Sequence, residues 1–210
     1  MDTVSCCNEC LLKRNTTYST DKNHINCIKY LRRIGCPWDK YTTYIAASNG
    51  YLECLKYAHE NRCPWHNGAT YTAASDGHLD CLKYAHENGC PWDSCATYWA
   101  AINGHLKCLM YAHENGCPWH KDTTWAAANK GHLNCLKYVH ENGCPWDVDT
   151  TYIAARNGHL ECLMYVHEKG CPWPKNTTRA AVECGRLNCL KYIYFSCQSV
   201  ISSEDKELIL

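Results

Sequence analysis

The tripeptide Cys-Pro-Trp occurs six times, beginning at Cys36, Cys63, Cys90, Cys117, Cys144 and Cys171, and each copy starts 27 residues after the last. A self-similar period of this length constrains the fold more than any other feature. A unit so short cannot bury its apolar face alone, so neighbouring units must stack and share one core. Function in such an array is expected on a repeated surface rather than in a single pocket.

The period divides the chain into an N-terminal degenerate capping repeat (1–35), five regular repeats (36–62, 63–89, 90–116, 117–143 and 144–170), a C-terminal capping repeat (171–197) and a tail (198–210). The first unit is recognised because Cys27, Ile28 and Tyr30 fall where Cys54, Leu55 and Tyr57 stand one period later, and Gly35 closes it. In the last unit Pro174, Arg179 and Tyr194 replace the usual Asp or His, aromatic and His. Irregular ends suit a stack whose outer faces meet water. The periodicity predicts one elongated domain.

Composition excludes several classes of function. Lys plus Arg equals Asp plus Glu at 21 each, so nothing steers the chain towards nucleic acid or an anionic membrane. No stretch approaches the run of about 18 apolar residues that spans a bilayer, and Met1-Asp2-Thr3-Val4-Ser5 lacks a secretory pattern, which predicts an intracellular protein. The 19 cysteines admit a disulfide framework. The odd count, the missing signal and a length sufficient for a core favour reduced, packed thiols, because free Cys behaves as a small buried hydrophobe.

Within a unit the pattern predicts two short helices and no strand. The first follows Pro37-Trp38, with Asp39, Asp93 and Asp147 as N-caps, and runs to about Asn49, where Gly50 ends it. The second runs from Leu52 to about Asn61. Thr43, Ala46 and Ala47 share a face of the first helix, and Leu52, Leu55 and Ala58 a stripe of the second, so both are predicted to stack, with Leu106 as a core residue.

The positions that vary between copies carry the functional information. Residues 41, 45 and 48 of the unit, spaced by four and three, are predicted to lie together on the exposed face of the first helix. The candidate partner-binding residues are therefore Tyr41, Ile45, Ser48, Thr72, Ser75, Trp99, Ile102, Asn129, Ile153 and Arg156. Recognition and neutral drift both produce such diversity. Trp99, Ile102 and Arg156 are expected to serve binding while sparing stability.

Residues 154 to 161, Ala-Ala-Arg-Asn-Gly-His-Leu-Glu, with Gly170-Cys171 beyond them, resemble the ankyrin repeat, and the same frame returns from Ala73 to Leu79 and from Ala100 to Leu106. The departures are a Tyr-Thr-Thr-Tyr segment at 41–44 in place of the family's Thr-Pro-Leu-His, and a period shorter than its 33. The resemblance implies that the missing residues are the β-hairpin finger, leaving an all-α solenoid of helix-turn-helix units. Its Cys-Pro-Trp style is similar to ankyrin-type repeat proteins of giant DNA viruses of amoebae and of some protists. That likeness implies a non-catalytic, monomeric scaffold that binds another protein, in the cytoplasm of a host cell if the source is viral.

Cys54, His59 and Cys63 repeat at spacings compatible with zinc, which makes a Cys/His zinc-binding protein the alternative function. Cys54 and His59, however, are five apart, about 140° around a helix, and do not converge. Cys6-Cys7 with Cys10 is a separate and weaker candidate, lacking a second pair nearby, and a capping helix with buried thiols is the favoured explanation. The tryptophans could stack bases. Lying beside Pro without a basic stripe, they are better explained as wedges, so the turn residues Cys36, Pro37, Trp38, Cys63, Pro64, Trp65, Cys90, Pro91, Trp92, Cys117, Pro118, Trp119, Cys144, Pro145 and Trp146 are assigned a structural role. No phosphate loop, nucleophile elbow or carboxylate pair is evident, so neither an enzyme nor a cofactor is predicted.

Overall fold

A computed structural model describes residues 16, 17, 25–39 and 41–196. Among these are thirteen α-helices and no strand. Helix α1 (Ile25–Arg33) is followed by α2 (Thr42–Ser48) and α3 (Leu52–Glu60), α4 (Ala69–Ser75) and α5 (Leu79–Glu87), and α6 (Cys95–Ile102) and α7 (Leu106–Glu114). The remaining pairs are α8 (Thr123–Asn129) and α9 (Leu133–Glu141), α10 (Thr150–Asn157) and α11 (Leu160–Glu168), and α12 (Thr177–Glu183) and α13 (Leu187–Ser196).

The described residues form two compact units, one running to Ala96 with Tyr111–Pro118 added, the other comprising Thr97–Met110 and the residues from Trp119 on. In the first, α2 packs on both α3 and α4, and α3 on α5. In the second, α8 packs on α9 and α10, α10 on α11 and α12, and α11 on α13. Within a unit, first helices such as α2 and α10 are thus covered by their own second helix and by an adjoining first helix. Close approach is possible because the buried face carries only small side chains, such as Thr42, Thr43, Ala46 and Ala47 on α2.

Glycine closes the first helix for two reasons at Gly104. Its φ of 76° is left-handed, and a Cβ built there would stand 2.6 Å from the ring of His132 in the next repeat. The turn after the second helix imposes only the first condition. There Gly89 has nothing within 4 Å of its missing Cβ, and Arg62, at φ 63°, occupies the same place in the preceding repeat.

The aspartates predicted as N-caps act one step earlier. Asp39 Oδ1 accepts from the Tyr41 amide at 2.8 Å, Asp93 Oδ1 from Cys95 and Asp147 Oδ1 from Asp149, both at 2.9 Å, so each closes an Asx turn leading into the helix. In the alternate repeats His66 Nδ1 accepts from Gly68 at 3.0 Å and His120 Nδ1 from Asp122 at 3.3 Å. Carboxylate and imidazole interchange here because both present an in-plane lone pair two residues upstream of the amide.

The same residue ties one repeat to the one before. Its amide donates to a buried threonine hydroxyl: Asp39 to Thr16 at 3.0 Å, His66 to Thr43 at 2.9 Å, His120 to Thr97 at 3.1 Å and Asp147 to Thr124 at 2.9 Å. The hydroxyl in turn faces the proline carbonyl of that next turn, at 3.0 Å from Thr70 to Pro91 and 3.3 Å from Thr124 to Pro145.

Within the Cys-Pro-Trp turn, Cys36, Cys63, Cys90, Cys117 and Cys144 are buried, Pro37, Pro64, Pro91, Pro118 and Pro145 are exposed, and Trp38, Trp65, Trp92, Trp119 and Trp146 are half-buried. The indole N–H donates to the carbonyl that ends the following second helix: Trp38 to Asn61 at 2.8 Å, Trp65 to Asn88 and Trp92 to Asn115 at 2.9 Å, and Trp119 to Asn142 at 3.2 Å. The ring stacks on the histidine of the preceding helix, at 4.8 Å for His59 and Trp65, 4.4 Å for His86 and Trp92 and 4.2 Å for His140 and Trp146. Trp65 and Trp92 therefore each clasp two successive second helices.

The second-helix core centres on Leu55, Leu82, Leu109, Leu136 and Leu163, all fully buried, with Cys54 and its counterparts beside them. Leu106 was expected in this core and is only half-buried, while Leu187 at the same place in the last repeat is 61% exposed. It is the first residue of its helix, and its side chain leans back over the preceding turn rather than into the stack. Leu109→Ala is therefore predicted to cost about 2–5 kcal/mol, and Leu106→Ala clearly less, in denaturant unfolding. Equal costs would put both leucines in the same environment.

Candidate functional site

Among the described residues no helix covers one side of the first helices, and the candidate binding residues distribute unequally over it. Tyr41 is 43% exposed and Trp99 40% exposed, and Arg156 is also exposed. Ile45, Ser48, Ser75, Ile102 and Asn129 are half-buried. Thr72 and Ile153, at 3% and 5%, are buried and are corrected from exposed to core. Position 45 lies at the border with an adjoining first helix, so a modest side chain is covered there and only one as large as Trp99 emerges.

In each unit aromatic side chains supply the middle of this face, one residue away from the variable positions. Tyr44, Tyr71, Tyr98, Trp125 and Tyr152 are all half-buried, one residue before the position chosen. Spacings of three and four from residue 41 define faces that differ by one residue, so 41, 44 and 48 fit a helical stripe as well as 41, 45 and 48 do. The signal was present as a nearly constant aromatic, and constancy suggested packing.

In the first unit the rings of Tyr44 and Tyr71 meet edge to face at 6.3 Å, and His66 lies 5.3 Å from Tyr41 and 5.1 Å from Tyr44. The hydrogen bond to Tyr44, with burial adding to it, holds the Tyr71 phenol well above its ordinary range. Ser48 donates to Asp76 Oδ2 at 2.8 Å, coupling two repeats along the face. In the second unit Tyr98 lies perpendicular to Trp99 at 5.4 Å and 5.3 Å from His120. Asn129 accepts from Asn157 Nδ2 at its side-chain oxygen (2.8 Å) and its carbonyl (2.9 Å).

The zinc alternative finds a different arrangement. Cys54 is in the core, whereas the His59 ring stacks on Trp65 and its Nδ1 stands 3.1 Å from the Tyr84 hydroxyl. Among the described residues no three His, Cys, Asp or Glu side chains gather as a metal site. Cys6, Cys7 and Cys10 lie outside the described residues. Burial pushes Cys63, Cys90 and Cys144 up to about 11 and Cys81 and Cys162 up to about 12. These five are protonated at neutral pH and poorly suited to attack or ligation.

Elsewhere the surface is regular. Lys29 lies over Tyr57, Lys83 over Tyr111 and Lys137 over Tyr165, at 5.6, 5.7 and 5.8 Å. A cleft of about 340 Å³ among Gly104, Leu106, Gly131, His132, Leu133 and Glu161 is open and mainly polar, unlike the enclosed apolar pockets that hold small ligands. No described helix is long and apolar enough to cross a membrane.

The family model for ankyrin repeats, in 3 copies, matches residues 43–122. No curated protein matches the chain. Among solved structures, the human ASB11 ankyrin repeat domain aligns with a TM-score of 0.64 over 80% of this chain and 95% of that chain, at 16% identity. The chain is therefore similar to that domain in fold, an all-helical ankyrin-type solenoid. In stability measurements Trp99→Ala is predicted to stay within about 0.5 kcal/mol of wild type. Ile153→Ala is predicted to lose about 2–5 kcal/mol. Comparable losses at both would mean that Trp99 is a packing residue.

Proposed function

We propose that this chain is a non-catalytic protein-binding scaffold that engages its partner with the uncovered side of its first helices. The observation that carries this reading is the aromatic column from Tyr44 to Tyr71 and from Tyr98 to Tyr152, half-exposed and bordered by side chains that change from repeat to repeat. Tyrosine and tryptophan are enriched in protein interfaces because they offer large contact area with few torsions to freeze. The varying neighbours Tyr41, Ile45, Ser48, Ser75, Trp99, Ile102, Asn129 and Arg156 supply specificity around that anchor. Thr72 and Ile153 act beneath the face as supports.

The repeat match at residues 43–122 supports a binding scaffold, since ankyrin repeats generally serve protein interaction. Cysteines packed in the core, such as Cys81 and Cys162, support an intracellular site of action. The Cys-Pro-Trp turn supports a place among the short-repeat proteins of giant viruses and protists, acting in the host cytoplasm as a monomer.

The test is capture of partners from cell extract by wild type and by two folded variants. Trp99→Asp with Tyr41→Ala alters the first-helix face, and Lys56→Glu with Lys83→Glu alters the second-helix face. Loss of a captured protein with the first pair alone is expected. Loss with the second pair alone would place the interface on the opposite side.

A further inference from the structure

One place on the first-helix face differs in chemistry from the rest. At Tyr98 the aromatic column coincides with Trp99, the only aromatic at its position in the regular repeats, and with Asp122 from the next repeat, where the corresponding earlier residues are Tyr41, Gly68 and Cys95. The rings of Tyr98 and Trp99 stand at 89° to each other, and that of His120 at 64° to Tyr98, so three aromatic planes lie within 5.4 Å of one another along the chain of contacts.

The carboxylate of Asp122 is 3.9 Å from His120 Nδ1. The same nitrogen stands 3.3 Å from the Asp122 amide, which donates to it. Among the described residues no lysine or arginine pairs with Asp122. The charge is also felt by the Tyr98 phenol, which burial first and Asp122 second hold above its ordinary range. A carboxylate with no lysine or arginine partner among the described residues thus lies beside Tyr98 and His120, and the exposed indole of Trp99 adjoins Tyr98.

Building on the scaffold reading, we propose that the cluster of Tyr98, Trp99, His120 and Asp122 receives an arginine side chain of the partner protein. A guanidinium is planar, stacks on an indole face, and donates two parallel hydrogen bonds to a carboxylate, so one group meets both features of the site. A purely apolar side chain would leave Asp122 desolvated and unpaired, and an acidic one would meet its charge.

The probe is Nα-acetyl-arginine methylamide, titrated into the 15N-labelled protein and followed by the indole N–H signal of Trp99 and the amides of His120 and Asp122. The citrulline methylamide, the same shape without charge, is the control. Saturable shifts confined to these signals are expected with arginine, with affinity about tenfold lower in Asp122→Asn and falling as salt is raised. Equal shifts with citrulline, or unchanged arginine affinity in Asp122→Asn, would overturn the proposal. Partner capture separates the two readings: binding lost in Trp99→Asp but intact in Asp122→Asn leaves the scaffold standing and removes the arginine, whereas loss in both supports the arginine.

Discussion

The fold rests on a hydrogen bond between a buried threonine hydroxyl and the backbone of the next repeat. In a 27-residue unit there is no finger to reach across to a neighbour, and at Asp39, His66, His120 and Asp147 the turn entering the first helix has an amide that points into protein rather than water. Thr43 and Thr124 meet that amide at His66 and Asp147. An unpaired buried amide costs about 1–3 kcal/mol, so the position tolerates little besides a hydroxyl. The bond fixes the spacing of first helices, and that spacing lets Ala46 and Ala47 pack closely and aligns the tyrosines on the opposite side.

The Cys-Pro-Trp turn complements this bond on the other layer. Proline offers its carbonyl to the threonine, cysteine fills the space beneath the turn, and tryptophan reaches the end of the second helix. The work is divided among three residues, which explains why they travel together. The histidine on which Trp65, Trp92 or Trp146 stacks is part of the same device. Its recurrence with cysteine reflects shared packing duty.

The architecture was legible because it is encoded in spacing: the period, the glycine punctuation and the absence of alternating strands gave the helix pairs to within a residue or two. Buried columns were partly legible. Leu55 and Leu106 look alike in sequence, and only the lean of the first side chain of a helix over its preceding turn separates them. The binding face was hardest, since residues 44 and 45 differ by 100° of helical rotation, and variation alone favoured 45. Thr72 and Ile153 vary because several small or aliphatic side chains fit under a neighbouring helix, whereas Tyr98 is constant in kind yet half-exposed. Variation marks freedom from a constraint, and exposure is only one such freedom.

The most direct test of this account is the unfolding free energy of Thr124→Val beside Thr124→Ser. Valine keeps the shape and removes the acceptor for the Asp147 amide, and serine keeps the acceptor. The account predicts a loss of about 1–3 kcal/mol for valine and at most about 1 kcal/mol for serine. A valine variant as stable as wild type would contradict it.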